Sequence, residues 1–361
     1  MKKSIWYLFP ISVFFVLAGC STPTRSVFVE VTPSSVVSLP ATFEPTSPSP
    51  VPIQISATIA QSDQSPTITI TTTLTPELTR TITPTLQLDS PYDEIFCAYD
   101  GCTYRGHFCL ARPIPVEFND RVEVTYRYGG NQSGLREEHH GVEFTNAYGT
   151  PIIASADGEV IVAGTDDEIN YGKFTNFYGN LIIIQHEILE FEKPIFTLYG
   201  HLSSINVETG DIVNQGDLIG AVGKSGSAVG SHLHFEVRIG ENSYESTSNP
   251  ELWLIPDKDQ VTGELNGGVA VRLIRGVDTV YSLIVLVQSY ENPSEAYYAP
   301  IYAESYAWST PRDAFWRENL VIGNLTPGLY RVSTTRKDVP YRKLVQIESG
   351  QLSLIEFFID S

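Results

Sequence analysis

Five of the seven histidines in this chain fall in three short stretches, EEHHGVEF, TLYGHLS and GSHLHFEVRIG. The third stretch alternates as a β-strand does, and successive side chains of a strand point to opposite faces. We therefore expect His232 and His234 to share one face with two charged residues, while the apolar residues between them enter a core. Two imidazoles side by side on a rigid strand favour a binding site. A surface strand with an incidental Glu236–Arg238 ion pair would give the same pattern.

The stretch EEHHGVEF offers two further groups that bind metals. His139 and Glu143 are four residues apart, and Gly141 between them lets the backbone bend so that both side chains reach one point. Imidazole nitrogen and carboxylate oxygen are standard zinc donors, and a catalytic zinc takes three protein ligands and leaves a fourth position for water. One imidazole of the His-x-His strand would complete such a set. Alone, the stretch is also typical of a polar loop.

Taken together, HHGVEF, YGHLS and SHLHFE, in this order and spacing, resemble the lysostaphin/LytM-type zinc endopeptidases of bacterial cell walls. The resemblance implies His139, Glu143 and His234 as the ligands of one zinc ion. It implies His201 and His232 as catalytic histidines that do not bind the metal. One position departs from the family, whose usual ligand is Asp where this chain has Glu143.

The activity that this resemblance implies is zinc-dependent hydrolysis of peptide stems or cross-bridges of bacterial peptidoglycan. One of His201 and His232 would act as general base on the attacking water, and the other would stabilise the oxyanion or protonate the leaving amine. The sequence leaves these two roles open. Two alternatives remain: a catalytically inactive module of the same type that binds wall or activates another wall hydrolase, and a secreted zinc peptidase that acts on proteins.

Three residues near these motifs have other expected roles. His140 takes the variable position of its motif, so we expect it to be exposed. His186 ends the predicted strand NLIIIQHE and is expected to be structural. Tyr199 is close to His201 in sequence and is expected in the wall of the substrate groove.

Short apolar segments punctuated by glycine predict an all-β fold without long helices. Two stretches, IIASADGEVIVAG and IVNQGDLIGAVG, resemble each other, which favours a small folded-over antiparallel scaffold with two similar halves. Later strands such as GVAVRLIRG and LSLIEFFID predict a β-sandwich, which resembles carboxypeptidase-regulatory-like or transthyretin-like modules. Its expected ligand is a carbohydrate or a protein. Ahead of the scaffold, RVEVTYRYG also alternates as a strand does.

The N-terminus predicts export and anchoring by a lipid. Lys2 and Lys3 precede an apolar stretch that is too short to span a membrane comfortably, which is typical of a signal peptide. The stretch ends in LAGC, which resembles a bacterial lipobox and makes Cys20 the lipidated first residue of the mature protein. The Thr/Ser/Pro-rich sequence that follows cannot bury enough apolar surface to offset its ordering entropy, so we expect a disordered stalk. The protein would lie outside the cytoplasm, anchored to the cell-envelope membrane.

The predicted organisation has five parts: a signal peptide (1–19), a lipidated cysteine with its linker (20–90), a Cys-containing extension (91–136), a zinc endopeptidase domain (137–256) and a β-sandwich domain (257–361). The extension is expected to pack on the endopeptidase domain that follows it. It contains Cys97, Cys102 and Cys109, which cannot all pair within one chain. In an oxidising compartment, one disulfide and one further thiol are favoured over a small metal site that would include His107.

Charge excludes one class of partner. The formal net charge is −19 over 361 residues, whereas nucleic-acid binding needs a basic footprint. Residues 137–255 contain 4 Lys and Arg against 18 Asp and Glu. Attraction of anionic wall or membrane polymers to a basic surface is therefore not expected, and the lipid, the stalk and the shape of the groove would have to position the enzyme.

Overall fold

The computed structural model describes residues 96–98, 101–188, 191–290 and 299–360. The expected signal peptide, the lipidation site Cys20 and the stalk lie outside these residues. The described part contains no helix with the length and apolar character needed to cross a membrane. Its residues fall in one compact unit, Thr81–Ser361.

Strands dominate the described residues, which contain two short 3-10 turns (Tyr244–Ser246 and Pro250–Leu252) and no α-helix, so the predicted all-β class is confirmed. In chain order the strands are β1 (Phe96–Ala98), β2 (Gly101–Arg105), β3 (Val142–Thr145), β4 (Pro151–Ile153), β5 (Gly158–Thr165), β6 (Asn180–His186), β7 (Ile195–Gly200), β8 (Ser204–Ile205), β9 (Ile212–Val213), β10 (Leu218–Ala221), β11 (His232–Ile239), β12 (Thr247–Ser248), β13 (Gly267–Arg275), β14 (Asp278–Thr279), β15 (Ile284–Ser289), β16 (Ile301–Glu304), β17 (Leu320–Leu325), β18 (Gly328–Arg336), β19 (Val339–Ile347) and β20 (Gln351–Phe358).

The strand that carries the His-x-His motif, β11, is an interior strand of a 7-stranded sheet. On one side it pairs with β7, and on the other with β3 and then β12. Its apolar residues Leu233, Phe235 and Val237 are fully buried, as the alternation predicts, together with Val142 and Phe144 of β3. Full burial of one such side chain stabilises the fold by about 1.5–3 kcal/mol, so this core holds both strands in place.

The two similar stretches of the scaffold pair with each other reciprocally. The first strand of one stretch, β4, pairs with the second strand of the other, β10, and β5 pairs with β9 in the same manner. All of these pairs are antiparallel. This reciprocal pairing is the folded-over arrangement of two halves that the repeated pattern predicts.

A second pair of sheets forms the predicted sandwich. A 6-stranded sheet (β1–β2–β20–β13–β14, with β17 also on β13) and a 4-stranded sheet (β16–β15–β18–β19) enclose a separate apolar core. Val271 and Ile355 of the first sheet and Val287 and Val332 of the second are buried in it. The central pair β13–β20 is parallel, whereas the other pairs in these sheets are antiparallel.

The extension differs from its prediction in two ways. Its strand β2 pairs with β20, with Cys102 opposite Leu354, so it adds to the sandwich and does not pack only on the domain that follows it. The expected strand in RVEVTYRYG is wrong, because residues 121–130 are irregular. The backbone N–H of Glu123 donates to the carbonyl oxygen of Glu143 at 2.8 Å, but no ladder follows. Tertiary contacts therefore override the alternation.

The cysteines follow the expected arrangement of one disulfide. Cys102 is disulfide-bonded, and its backbone lies opposite Cys97 in the β1–β2 pair. His107 lies instead among residues of other segments, with Nε2 at 3.3 Å from Asp313 Oδ2 and its ring stacked on Trp253 at 4.3 Å.

Candidate metal centre

The register of β3 against β11 brings two predicted ligands together. Glu143 lies directly opposite His234, and residues in this relation have Cβ atoms about 4.5–5.5 Å apart. Gly141 lies just before β3, where the backbone passes close to β11. A Cβ at Gly141 would meet the carbonyl oxygen of Phe235 at 2.5 Å and the ring of His234 at 2.8 Å. Only glycine fits there, and its absence of a side chain is what lets β3 approach the histidine.

The third predicted ligand, His139, is held by the irregular segment before it. Its Nδ1 lies 2.8 Å from the carbonyl oxygen of Tyr126, and the two rings are stacked at 4.1 Å with 5° between their planes. A carbonyl oxygen only accepts hydrogen bonds, so Nδ1 must carry the proton. The lone pair of His139 is therefore on Nε2.

A buried ionic network holds His234. Its Nε2 lies 3.1 Å from Glu236 Oε1, and Glu236 also accepts from the Tyr178 hydroxyl and from Arg238 Nε at 2.8 Å. Burial would raise the pKa of Glu236, but the Arg238 charge and the hydrogen bond from His234 lower it to about 2. An ionised carboxylate only accepts, so His234 Nε2 carries the proton and Nδ1 keeps its lone pair.

Two nitrogen lone pairs therefore face each other at the centre of the site. His139 Nε2 and His234 Nδ1 are 3.2 Å apart, and Glu143 Oε1 lies 3.8 Å from His139 Nε2. Within the described residues these three form the one group of at least three His, Cys, Asp or Glu donors close enough to share a metal ion. Three electron-rich atoms at this spacing repel each other unless a cation lies among them. Two imidazoles and one carboxylate are a zinc donor set, so the residues fit that metal.

The two predicted catalytic histidines lie next to this group. His232 Nδ1 is 3.0 Å from the carbonyl oxygen of Gly230, and His201 Nδ1 is 2.9 Å from that of Ser225. Each ring therefore keeps an unprotonated Nε2. His232 Nε2 is buried 3.5 Å from Glu143 Oε1, without a hydrogen-bond partner among the described groups. The rings of His201 and His232 are 4.9 Å apart, edge to face.

Burial keeps these two histidines in the base form. Desolvation, followed by the charges of His234 and His232, lowers the pKa of His201 to about 3. Desolvation also lowers the pKa of His232, although the charge of Glu143 opposes that shift. Both imidazoles are therefore neutral near pH 7 and able to accept a proton.

The structure corrects two expectations about nearby residues. The expected exposure of His140 is wrong, because it is 7% exposed, with Nδ1 2.9 Å from the carbonyl oxygen of Tyr244 and its ring stacked on the same tyrosine. The expected place of Tyr199 in the groove wall is also wrong, since it is fully buried and its hydroxyl accepts from the backbone N–H of Ser155 at 2.9 Å. His186 is fully buried, and its ring nitrogens bond to the carbonyl oxygen of Asp157 and to Thr197 Oγ1, both at 2.8 Å, as expected of a structural residue.

Sequence reasoning missed the residues that orient the predicted ligands. Glu236 and Arg238 had a signal, because the alternation of β11 places them on the face of the histidines. Both are fully buried, so the alternative of a surface ion pair is wrong. No sequence pattern indicated Tyr126 or Tyr178. Tyr126 contacts His139, and Tyr178 contacts Glu236, only because the fold brings these segments together.

Comparison with known proteins finds a family match in the part of the chain that holds these residues. Residues 137–246 match the model of Peptidase family M23. The chain is 37% identical over 101 residues to the DD-carboxypeptidase/endopeptidase Mpg of Neisseria gonorrhoeae, a match that covers 28% of this chain and 20% of that protein. It is 32% identical over 132 residues to the peptidoglycan DD-endopeptidase ShyC of Vibrio cholerae, covering 37% of this chain and 26% of that protein. The chain thus spans about a fifth to a quarter of the length of these curated relatives.

Among solved structures, the catalytic domain of the antimicrobial peptidase lysostaphin from Staphylococcus simulans is 30% identical, and the match covers 36% of this chain and 89% of that chain with a TM-score of 0.29. The family model covers the stretches that hold all five predicted site residues. Residues 137–246 are therefore a peptidase family M23 domain of the LytM/lysostaphin type.

Proposed function

We propose that this protein is a zinc-dependent endopeptidase that hydrolyses peptide stems or cross-bridges of bacterial peptidoglycan. One observation carries the proposal: the lone pairs of His139 Nε2 and His234 Nδ1 face each other at 3.2 Å beside the Glu143 carboxylate. The relatives named DD-carboxypeptidase/endopeptidase and DD-endopeptidase support the choice of wall peptide as the substrate.

The proposed mechanism assigns one role to each part of the site. His139, Glu143 and His234 hold the metal, which when bound polarises the scissile carbonyl and makes water more acidic. His232 or His201 accepts the proton of the attacking water at its free Nε2. The proton taken from the water is the one available for the later step: passed to the Nε2 of the other histidine, it would let that ring stabilise the developing oxyanion or protonate the leaving amine.

Positioning at the wall would depend on the N-terminal lipid and not on charge. A lipid on Cys20 and a stalk of tens of residues would keep the enzyme outside the cytoplasm and let it reach the wall polymer. The acidic balance of residues 137–255, with 4 basic against 18 acidic side chains, argues against electrostatic capture of anionic polymers. A carbohydrate or protein ligand of the sandwich would add a further contact.

Two substitutions separate metal binding from catalysis in the proposed site. His234→Ala should remove zinc from the purified protein and abolish the release of soluble fragments from purified wall. His232→Ala should keep zinc, because it is not a ligand, and lose about two to four orders of magnitude in turnover. Zinc content and chelator-sensitive release of wall fragments are the measurements. Undiminished activity of His232→Ala would refute the assignment of that histidine.

A non-catalytic module is the second candidate, and the Glu143 side chain is the observation that favours it. Its extra methylene, compared with the Asp of the family, displaces the carboxylate by about an ångström in a site where geometry is tight. Wild-type protein that takes up no zinc from an excess of the metal and releases no wall fragments would establish this alternative. Cleavage of glycine-rich peptides without cleavage of wall would instead indicate a peptidase that acts on proteins.

A further inference from the structure

The first predicted metal ligand is preceded by a segment that touches both the M23 domain and the sandwich. This segment, residues 126–138, is called the arm here. It contains turns and bends but no strand or helix, so its backbone groups find no partners in a regular ladder. Each ordered residue of such a segment costs about 1–2 kcal/mol in backbone entropy, which contacts outside the segment must offset. The contacts of the arm therefore decide where His139 lies.

On its inner side the arm binds His139 by both backbone and side chain. The N–H of Gly129 donates to the carbonyl oxygen of His139 at 2.7 Å, and the N–H of His139 donates to that of Gly130 at 3.1 Å. The Tyr126 carbonyl oxygen accepts from His139 Nδ1, and the Tyr126 ring stacks on the imidazole. Movement of the arm would therefore move both the backbone and the ring of this ligand.

On its outer side the arm is bound by the sandwich. The Glu304 carboxylate, at the end of β16, accepts from the backbone N–H of Asn131 at 3.1 Å through Oε2 and from that of Ser133 at 3.0 Å through Oε1. The backbone N–H of Ala307 donates to the carbonyl oxygen of Gly129 at 2.7 Å. One side chain thus fixes the turn of the arm, and one backbone bond fixes the residue that also bonds to His139.

Close packing strengthens this connection at Gly129. A Cβ on Gly129 would meet the ring of Tyr306 at 2.4 Å, and the residue has a φ of +76°, which favours glycine. Next to it, the Tyr128 hydroxyl donates to the carbonyl oxygen of Pro311 at 3.0 Å. Further along, the Ser309 hydroxyl donates to Glu138 at 2.7 Å. The sandwich therefore contacts the arm at both ends and in the middle.

We propose that the sandwich is a working part of the metal centre: through Glu304 and the arm, it sets the position of the ligand His139. Glu304 is a positioning residue, because it acts on the site only through the arm. The inference rests on the proposed function in one respect, the identity of the metal as zinc. The contacts among the sandwich, the arm and His139 are independent of that function. It assigns the sandwich a role beyond that of a module that binds wall or a partner.

The test uses the full chain with Glu304→Ala, which removes both acceptors, and Glu304→Gln, which retains one carbonyl oxygen. Glu356→Ala is the matched control, since it removes a carboxylate of the same sandwich whose partner is Arg272. We expect Glu304→Ala to weaken zinc affinity about tenfold in a chelator competition, as loss of supporting partners of a metal ligand does. Glu304→Gln should fall between Glu304→Ala and wild type, and Glu356→Ala should match wild type.

Hydrogen exchange supplies a readout that does not depend on zinc. In Glu304→Ala, the amides of Gly129 and His139 should exchange faster, while the amides of β11 stay protected. Zinc affinity within twofold of wild type, or unchanged exchange at Gly129 and His139, would overturn the inference and leave the proposed function intact. If wild type takes up no zinc, the proposed function fails, and the exchange of these amides still decides whether Glu304 holds the arm.

A second substitution changes the arm itself, where Gly129 packs against Tyr306 of the sandwich. Gly129→Ala introduces the Cβ that meets the Tyr306 ring and strains a positive φ. Gly134→Ala is its control, because Gly134 also belongs to the arm and has a φ of +84°, but a Cβ there meets no atom within 4 Å. Weaker zinc binding in Gly129→Ala than in Gly134→Ala supports the inference, and equal binding contradicts it.

Discussion

Glu236 and Glu318 are both fully buried, yet they have opposite acid–base behaviour. Glu236 lies on β11 in contact with His234 of the candidate metal centre, and Glu318 lies in the sandwich just before β17. The pKa of Glu236 is lowered to about 2, whereas that of Glu318 is raised to about 8. Desolvation raises both, so burial does not distinguish them.

Their partners account for the difference. Glu236 Oε2 accepts from Arg238, while its other oxygen accepts from Tyr178 and His234. Glu318 accepts a hydrogen bond from Tyr306 at 3.1 Å, its Oε2 has no hydrogen-bond partner among the described groups, and the charge of Asp313 raises its pKa further. A buried carboxylate keeps its charge where a cation or several hydrogen-bond donors compensate for the lost solvation, and Glu236 has both.

Of the two acids, Glu236 is the one that supports the proposed metal site. Its ionised carboxylate accepts the proton of His234 Nε2, so it leaves Nδ1 of that histidine to face the proposed metal position. Glu318 is neutral and orients no predicted metal ligand. Its raised pKa instead makes the free energy of unfolding depend on pH. Substitutions at Glu236 and at Glu318 therefore test whether the proposed metal site depends on a charged carboxylate or only on a buried one.

The largest expected effect comes from breaking the ion pair under the site. Arg238→Met leaves the Glu236 charge buried without its cation, which should lower the free energy of unfolding by about 3–5 kcal/mol. Urea denaturation measures it. The control is Lys173→Met, which removes an exposed pair with Glu137 and should cost less than about 1 kcal/mol. Equal losses in the two variants would show that Arg238 does not support a buried charge.

A more selective change neutralises the carboxylate that faces His234. Glu236→Gln should weaken zinc affinity by about ten- to a hundredfold, because an amide accepts the His234 proton more weakly and its NH2 group opposes the donors of Arg238. Competition with a chelator measures the affinity. Glu318→Gln is the matched control, and its zinc affinity should be that of wild type. If both variants bind zinc as wild type does, the carboxylate does not orient the ligand.

Part of the fold and of the site follows from local patterns in the sequence. The alternation of β11 predicted that His234 and Glu236 share a face, and the repeated strand–turn–strand pattern predicted the folded-over scaffold. Both follow from local periodicity, which the sequence displays directly. The resemblance of three motifs predicted the metal ligands, and the fold brings them together, although their roles stay predictions.

What the sequence did not reveal depends on contacts between distant segments. The burial of His140 results from stacking on Tyr244, 104 residues later. The support of His139 by Tyr126 comes from an irregular segment whose alternation resembled a strand. The addition of β2 to the sandwich is a pairing with β20 across most of the chain. No local pattern encodes the partner in such cases, because the same periodicity is compatible with several pairings.

The smallest expected effect isolates the second carboxylate through pH. The pKa of Glu318 is about 8 in the folded protein against an ordinary value of 4.5, so near neutral pH the folded state keeps a proton that the unfolded state has lost. Its contribution to stability is therefore complete below about pH 4.5 and is lost as pH rises through about 8. Between pH 6 and pH 7, wild type should lose about 1 kcal/mol relative to Glu318→Gln, which has no such proton. Urea denaturation of both proteins at the two pH values measures this difference, and a difference that does not change with pH would mean that Glu318 is ionised in the fold as Glu236 is.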